Sequence, residues 1–389
     1  MRTFWPLLWQ NKVGLIGFIG LVFYLLLITV FQWMVGFDNE VKLDQINSPP
    51  GSRLVLLTRP EDKDSYTKLQ DLVGHKVGIL EKSGAPTFLE KSNVEGLEVE
   101  TYRWRSGRGV PESLEALAAG EVDALIIFSK LVRRYVLDPS SRDYKVSLSH
   151  LTVSNPKLGP ALLLGADTQG RDMFTHVING GRILIITAIM AGLISTAIAF
   201  ILGTVAALAG GIVDRILVAI ANFIIVIPRF PLLIVLAAMI TLNNWLLLAT
   251  LIGLLAWPAL MRAIRAQVLS LRERDYVEAA MALDLSRMHI IFREILPNMM
   301  GFVVINFVVA ITTAMYDQIG LIFLGMAPIN DYTWGVMLYF GRSRGTLFNI
   351  DSAAMLLAPV LAIAFFQVCL VLFSRALEEA FDPRLRGAA

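Results

Sequence analysis

Long uncharged runs, broken by short charged segments, dominate this chain. Val13 to Phe37 is 25 residues without a charge, and Ile183 to Val213 is 31. Ile216 to Ile240 is apolar apart from Asn222 and Arg229, and Trp245 to Met261 follows. Met299 to Met326 contains Asp317, and Ala353 to Ser374 is the last run. A helix rises about 1.5 Å per residue, so about 20 apolar residues cross a hydrocarbon core of about 30 Å. Backbone groups in lipid need partners within their own segment, which favours helices over open sheets. The pattern therefore predicts six transmembrane helices. The first run is longer than the apolar stretch of a signal peptide and lacks a small-x-small cleavage site, so it reads as a span.

A different pattern separates the first and second runs. Residues 38 to 158 carry 35 of the 66 charged side chains. "SRLVLLT", "KVGIL" and "VDALIIF" read as strands, while "GAPTFLEKS" and "PESLEALAAG" read as helices. Strands alternating with helices suggest βαβ units. The fold class is an α-helical membrane protein with an extracytoplasmic α/β insert. Three regions follow: a tail and first helix over 1–37, the insert over 38–160, and a five-helix core over 161–389.

Charge sets the orientation. With the N-terminus inside, the inner segments carry Arg2, Lys12, Arg215, Arg262, Arg265, Arg272, Arg274, Arg287, Arg293, Arg375, Arg384 and Arg386. The outer turn "TLNN" carries no Lys or Arg, and the outer loop 327–352 carries only Arg342 and Arg344. The bias places both termini in the cytoplasm and the insert outside a cytoplasmic (inner) membrane. Composition agrees: 56% of residues are hydrophobic, above the roughly 45–50% of a soluble domain. A net charge of +2 gives no reason to expect nucleic acid as a partner, and a single cysteine allows no disulfide within the chain. The four histidines, His75, His150, His176 and His289, are too scattered to argue a metal site.

The segment at 270–298 is charged and helix-forming, yet it lies between two spans. "RDYVEAAMAL" is rich in good helix formers, with Tyr276, Ala279, Ala280 and Leu283 spaced to share a face. Asp284 interrupts, and Ser286 is placed to cap a second helix, "RMHIIFREIL", which Pro297 follows. This is a helix–turn–helix at the inner surface. An interfacial helix would bury large apolar residues. Ala279 and Ala280 instead allow another surface to approach, which favours docking.

The stretch resembles the cytoplasmic "EAA" loop of ATP-binding cassette importer permeases. Glu278, Ala279, Ala280, Leu296 and Pro297 fall at that motif's spacing. "LLGADTQGRDMF", "SLRERDYVEAA", "FLG", "WG" and the terminal "FDPRLRG" resemble the dipeptide/oligopeptide branch, second-subunit type. The resemblance implies a permease subunit working with a second homologous permease, two ATPase subunits and an extracytoplasmic solute-binding protein in the lipid bilayer. It also implies that Tyr276, Glu278, Ala279, Ala280, Asp284, Leu296 and Pro297 form the ATPase-coupling loop. No G-x-x-x-x-G-K-[ST] sequence is present, so no cofactor is expected on this chain, and ATP and Mg belong to the partner ATPase.

The chain departs from that pattern. Asp284 stands where the motif has Gly, and Glu294 where it has Ile. Asp tolerates a left-handed turn position better than most residues, so the turn is expected to survive. Arg229, where the family usually has a small residue, and Asp317 are charges within predicted spans. Pro228 and Pro231 flank Arg229 and predict a kinked or broken helix. Arg229 lines the translocation path, pairs with Asp317, or ends a half-helix and reaches water; the sequence leaves these open. The insert resembles one lobe of a type II solute-binding protein in its Asp-Leu-x-Gly-x-x-Val-Gly and Ala-Leu-x-x-Gly-x-Val-Asp-Ala patterns. It reads as a built-in receptor, a docking platform for the binding protein, or a stabilising domain. The function expected is import of peptide-like or oligosaccharide-like solutes. The alternative is a membrane sensor or passive facilitator with a solute-binding outer domain.

Overall fold

The computed structural model describes residues 11–31, 42, 45–46, 48–103, 109–167, 169–240, 244–327, 333–343 and 353–381. Most of "FDPRLRG", Arg2, Arg344, Arg384 and Arg386 lie outside them. The chain divides into two compact units, one of Val35–Val177 with Phe340–Ala358 and one of the remainder.

The α/β unit is built on a five-stranded sheet of order β3-β2-β4-β1-β5. The strands are β1 (Leu54–Thr58), β2 (Lys76–Leu80), β3 (Glu98–Tyr102), β4 (Ala124–Phe128) and β5 (Thr152–Asn155). β2 runs parallel to β3 and β4, whereas β1 is antiparallel to β4 and β5. Helices α1 (Lys12–Leu26), α2 (Gly84–Ser92) and α3 (Gly109–Ala119) are the first three in the chain, and the last two connect the parallel strands. β1 and β4 bury every side chain, because the two faces of each strand meet separate cores. Leu57, Leu117, Leu125 and Ile127 belong to one core, and Leu56, Leu72, Ile126 and Phe128 to the other. A strand covered on both faces reads as a continuous apolar run, which made these two legible. β3 and β5 lie at the edges and were missed: "EVETY" is mostly exposed and "TVSN" only half-buried. Gly78 sits in the middle of β2.

Among the described residues, four helices are long and apolar enough to cross a membrane, or five if one bent pair counts as a span. The four are α4 (Met173–Ala209), α7 (Trp245–Arg272), α9 (Arg287–Phe323) and α11 (Ala354–Phe381), whose described apolar stretch ends at Leu377. The bent pair is α5 (Gly211–Val226) and α6 (Arg229–Met239), which meet at 82°. α1 is a shorter apolar helix, continued by a π-helical turn over Leu27–Phe31. α8 (Asp275–Ala282) and α10 (Trp334–Ser343) are short, and α10 was not anticipated.

Boundaries differ from the hydropathy reading where composition is blind to geometry. The run Ile183–Val213 crosses a turn, because Gly210 and Gly211 both take positive φ and carry no charge to mark it. α4 begins earlier, at Met173, and α7 continues past Met261 as a charged extension to Arg272.

Candidate coupling loop and membrane path

The loop is built on the ends of two long helices. α8 follows α7 after a short turn and ends on the carbonyls of its own last turn. Leu285 N donates to Ala280 O at 3.2 Å and Asp284 N to Met281 O at 3.0 Å. Asp284 holds φ at +52°. These are the paired bonds of a Schellman stop, with Asp in the left-handed position usually given to Gly. Ser286 Oγ then accepts from His289 N at 3.3 Å and starts the next helix.

That helix does not end before Pro297. It passes through a π-helical turn over Ile290–Ile295 and resumes at Leu296, making one rod from Arg287 to Phe323. Pro297 therefore falls inside the rod, where the π-helical turn gives way to α-helix.

The faces of α8 divide differently from the spacing argument. Val277 and Ala280 turn inward, packing with Ile264, Val268, Ile290 and Ile295 in one core. Tyr276, Glu278, Ala279 and Asp284 are exposed, as is Pro297, with Leu296 half-buried. Ala280 is thus a contact within the chain, while Ala279 remains on the open face. Around it Leu283 is 74% exposed, Met288 67% and Phe292 56%.

The two charges in the spans meet. Arg229 Nη2 donates to Asp317 Oδ2. Arg229 is the first residue of α6, immediately after the break at Pro228. It also lines a cavity of about 260 Å³ with Ser195, Asn306, Thr313 and the small residues Ala256, Ala259 and Ala263. So the guanidinium is at once paired, cavity-lining and at the end of a half-helix.

Sequence reasoning missed a second pair. Arg265 on α7 holds Asp214 on α5 in a fork, with Nε to Oδ1 at 2.5 Å and Nη2 to Oδ2 at 2.6 Å. The available signal was Asp214 itself, an acid in the short break between two apolar runs. It also gave no role to Asp167 and Arg171 in "LLGADTQGRDMF". There the buried Asp167 carboxylate accepts from Arg171 N at 2.9 Å and from Arg171 Nε at 2.9 Å. Asp172 Oδ1 accepts from Phe174 N at 3.1 Å, so this segment fixes the start of α4.

Residues 199–387 match the family described as "Binding-protein-dependent transport system inner membrane component". A protein of Brucella ovis, provisionally named a peptide permease, is 31% identical over 290 residues, covering 72% of this chain and 95% of its own. OppC of Haemophilus influenzae, an oligopeptide transport system permease protein, is 32% identical over 57% of this chain and 70% of its own. DppC of Bacillus subtilis, a dipeptide transport system permease protein, is 30% identical over 64% and 78%. Among solved structures, holo ArgBP from T. maritima overlaps 29% of this chain and 44% of its own at 21% identity, with a TM-score of 0.23. That overlap is too loose to carry an argument. The chain belongs to the binding-protein-dependent transport inner membrane component family, the permease subunits of ATP-driven importers.

Proposed function

We propose that this chain forms half of the translocation pathway of an importer for peptide-like solutes, and that its 270–298 loop is the part an ATPase grips. The observation that carries the coupling role is the exposed face of Tyr276, Ala279, Leu283, Met288 and Phe292 beside a fixed Asp284 turn. Val277, Ala280, Ile290 and Ile295 lock the loop to α7 and α9. A push on the loop therefore moves α9 as a rod, with Asp317 toward its far end. Alternating access follows if nucleotide-bound and nucleotide-free ATPases prefer different positions of that rod, since a ligand shifts an equilibrium only by its differential affinity.

The rest of the assembly follows from the same reading. A second permease completes the path, two ATPases bind ATP and Mg, and an external binding protein delivers solute. α1, the α5–α6 pair and the four long helices make six spans across an inner membrane. Lys and Arg favour cytoplasmic termini and an outer α/β insert. The peptide class rests on the names of the relatives. The test is co-purification with the neighbouring ATPases in detergent. Wild type is expected to bring down two ATPase chains and raise their turnover with solute-loaded binding protein. Leu283→Glu with Met288→Glu should lose both while the permease still folds. Full ATPase recovery with the double variant would overturn the coupling role.

A further inference from the structure

A pair of cavities in the helical unit meet across Ala259 and Ala263 of α7. One, of about 580 Å³, is lined by Asn222, Arg262 and Arg265. The other, of about 260 Å³, is lined by Arg229, Ser195, Asn306 and Thr313.

The polar groups of the second cavity have a definite character. Ser195 Oγ donates to Gly192 O at 3.0 Å, Thr313 Oγ1 to Val309 O at 2.8 Å, and Asn306 Nδ2 to Phe302 O at 2.8 Å. Each spends a donor on its own helix and keeps oxygen lone pairs to offer. Arg229 is the opposite. Its Nη2 goes to Asp317, but its Nε is buried without a hydrogen-bond partner. A guanidinium fork is completed by a carboxylate that takes two parallel N–H donors. The cavity thus presents acceptors for N–H groups and one incompletely used cation.

The ion pair also bridges two separate elements. Arg229 begins α6 directly after the 82° break. α6 comes close to α9 because Gly320 has no side chain: a Cβ there would lie 2.7 Å from the Phe230 ring. Asp317 rides on the same rod as the coupling loop, whereas Arg229 rides on the half-helix. Relative movement of the two separates the pair.

We propose that Arg229 is the solute-selecting residue of the path. A solute carboxylate replaces Asp317 on the guanidinium during passage, while Ser195, Asn306 and Thr313 accept from the solute's N–H groups. This rests on the importer reading and deepens it, naming solutes with a free carboxylate and several N–H donors.

The test uses the whole complex with trialanine and trialanine amide as probes, in two arms. One is uptake into proteoliposomes. The other is the thermal shift of the solubilised complex without binding protein. The working variant is Arg229→Gln with Asp317→Asn, which removes both charges and leaves neither group buried and unpaired. Trialanine uptake should fall at least tenfold in it. Trialanine should raise the melting temperature of wild type, trialanine amide should not, and the variant should respond to neither. Arg229→Asp with Asp317→Arg keeps a pair but moves the cation off the cavity lining, and should also lose the trialanine shift. Wild-type uptake and shift in both variants would overturn the proposal and leave the pair a strut. If wild type carried no trialanine, the importer reading would fail; absence of the wild-type thermal shift would independently reject the carboxylate site.

Discussion

At Asp284 one backbone torsion lets the loop reverse. A left-handed conformation costs a non-glycine residue about 1–2 kcal/mol, and less for Asp, whose short polar side chain bonds locally. Asp284 sits at +52°. Asp284→Gly should therefore leave coupled ATP turnover intact and stabilise the loop by at most about 1 kcal/mol. Asp284→Val, branched at Cβ, should lower the melting temperature and reduce solute-stimulated turnover. A loss of coupling in the glycine variant would mean the carboxylate itself contacts the ATPase. Arg229 and Asp317 obey a different rule. Removing one partner of this half-buried pair strands the other charge, whereas removing both does not. Arg229→Gln alone should therefore melt lower than the double Arg229→Gln, Asp317→Asn variant. At this scale the turn was readable, because Asp occupies a position whose chemistry the motif's spacing defines. The inward face of Ala280 was not, since periodicity groups residues on a face without saying which face meets the chain's own core. The Arg229–Asp317 contact was one alternative of several, because pairing across 88 positions depends on where two helices cross.

Between elements, small residues decide how closely helices meet. Gly14, Gly17 and Gly20 lie three apart along α1 and meet α11. A Cβ on Gly17 would sit 2.5 Å from Phe373 N, and one on Gly20 2.2 Å from Cys369 Sγ. With no hydrophobic drive between helices in lipid, such close backbone contact is the main source of their association. Gly17→Leu cannot be accommodated by a rotamer change, because the obstacle is backbone. It should cost about 1–3 kcal/mol, read as a lower melting temperature, whereas Gly74→Ala, in the other unit and with nothing within 4 Å, is strained only by its φ of +82°. Elements with a strong pattern were legible: buried central strands, long apolar helices, and the break forced by Pro228 and Pro231. Elements whose signal is geometric were not. The α4–α5 turn carries no charge to mark it, and the edge strands β3 and β5 carry too little burial to show a period.

For the whole molecule, the question is whether the α/β insert is grafted on or integral, and its two connections answer it. Gly51 N donates to Leu162 O at 2.8 Å, Leu162 N to Ser52 O at 2.8 Å, and Ala166 N to Ser48 O at 2.9 Å. The chain therefore enters and leaves the sheet along paired backbones. Everything beyond them, from β1 through β5, has its own cores on both sheet faces. A short linker between residues 52 and 162 replaces that excursion without stretching either connection, since loop closure costs only about 0.6 kcal/mol per doubling of length. Joining 52 to 162 through four Gly or Ser residues should thus give a permease that still binds its ATPases, with basal ATP hydrolysis within about twofold of wild type. Stimulation by solute-loaded binding protein is the discriminating readout. Its loss, with basal activity kept, assigns the insert to receiving or orienting the binding protein. Its retention makes the insert dispensable for delivery. Failure of the shortened chain to assemble would reject an insert that folds on its own, because then the rest of the chain would need the sheet to fold.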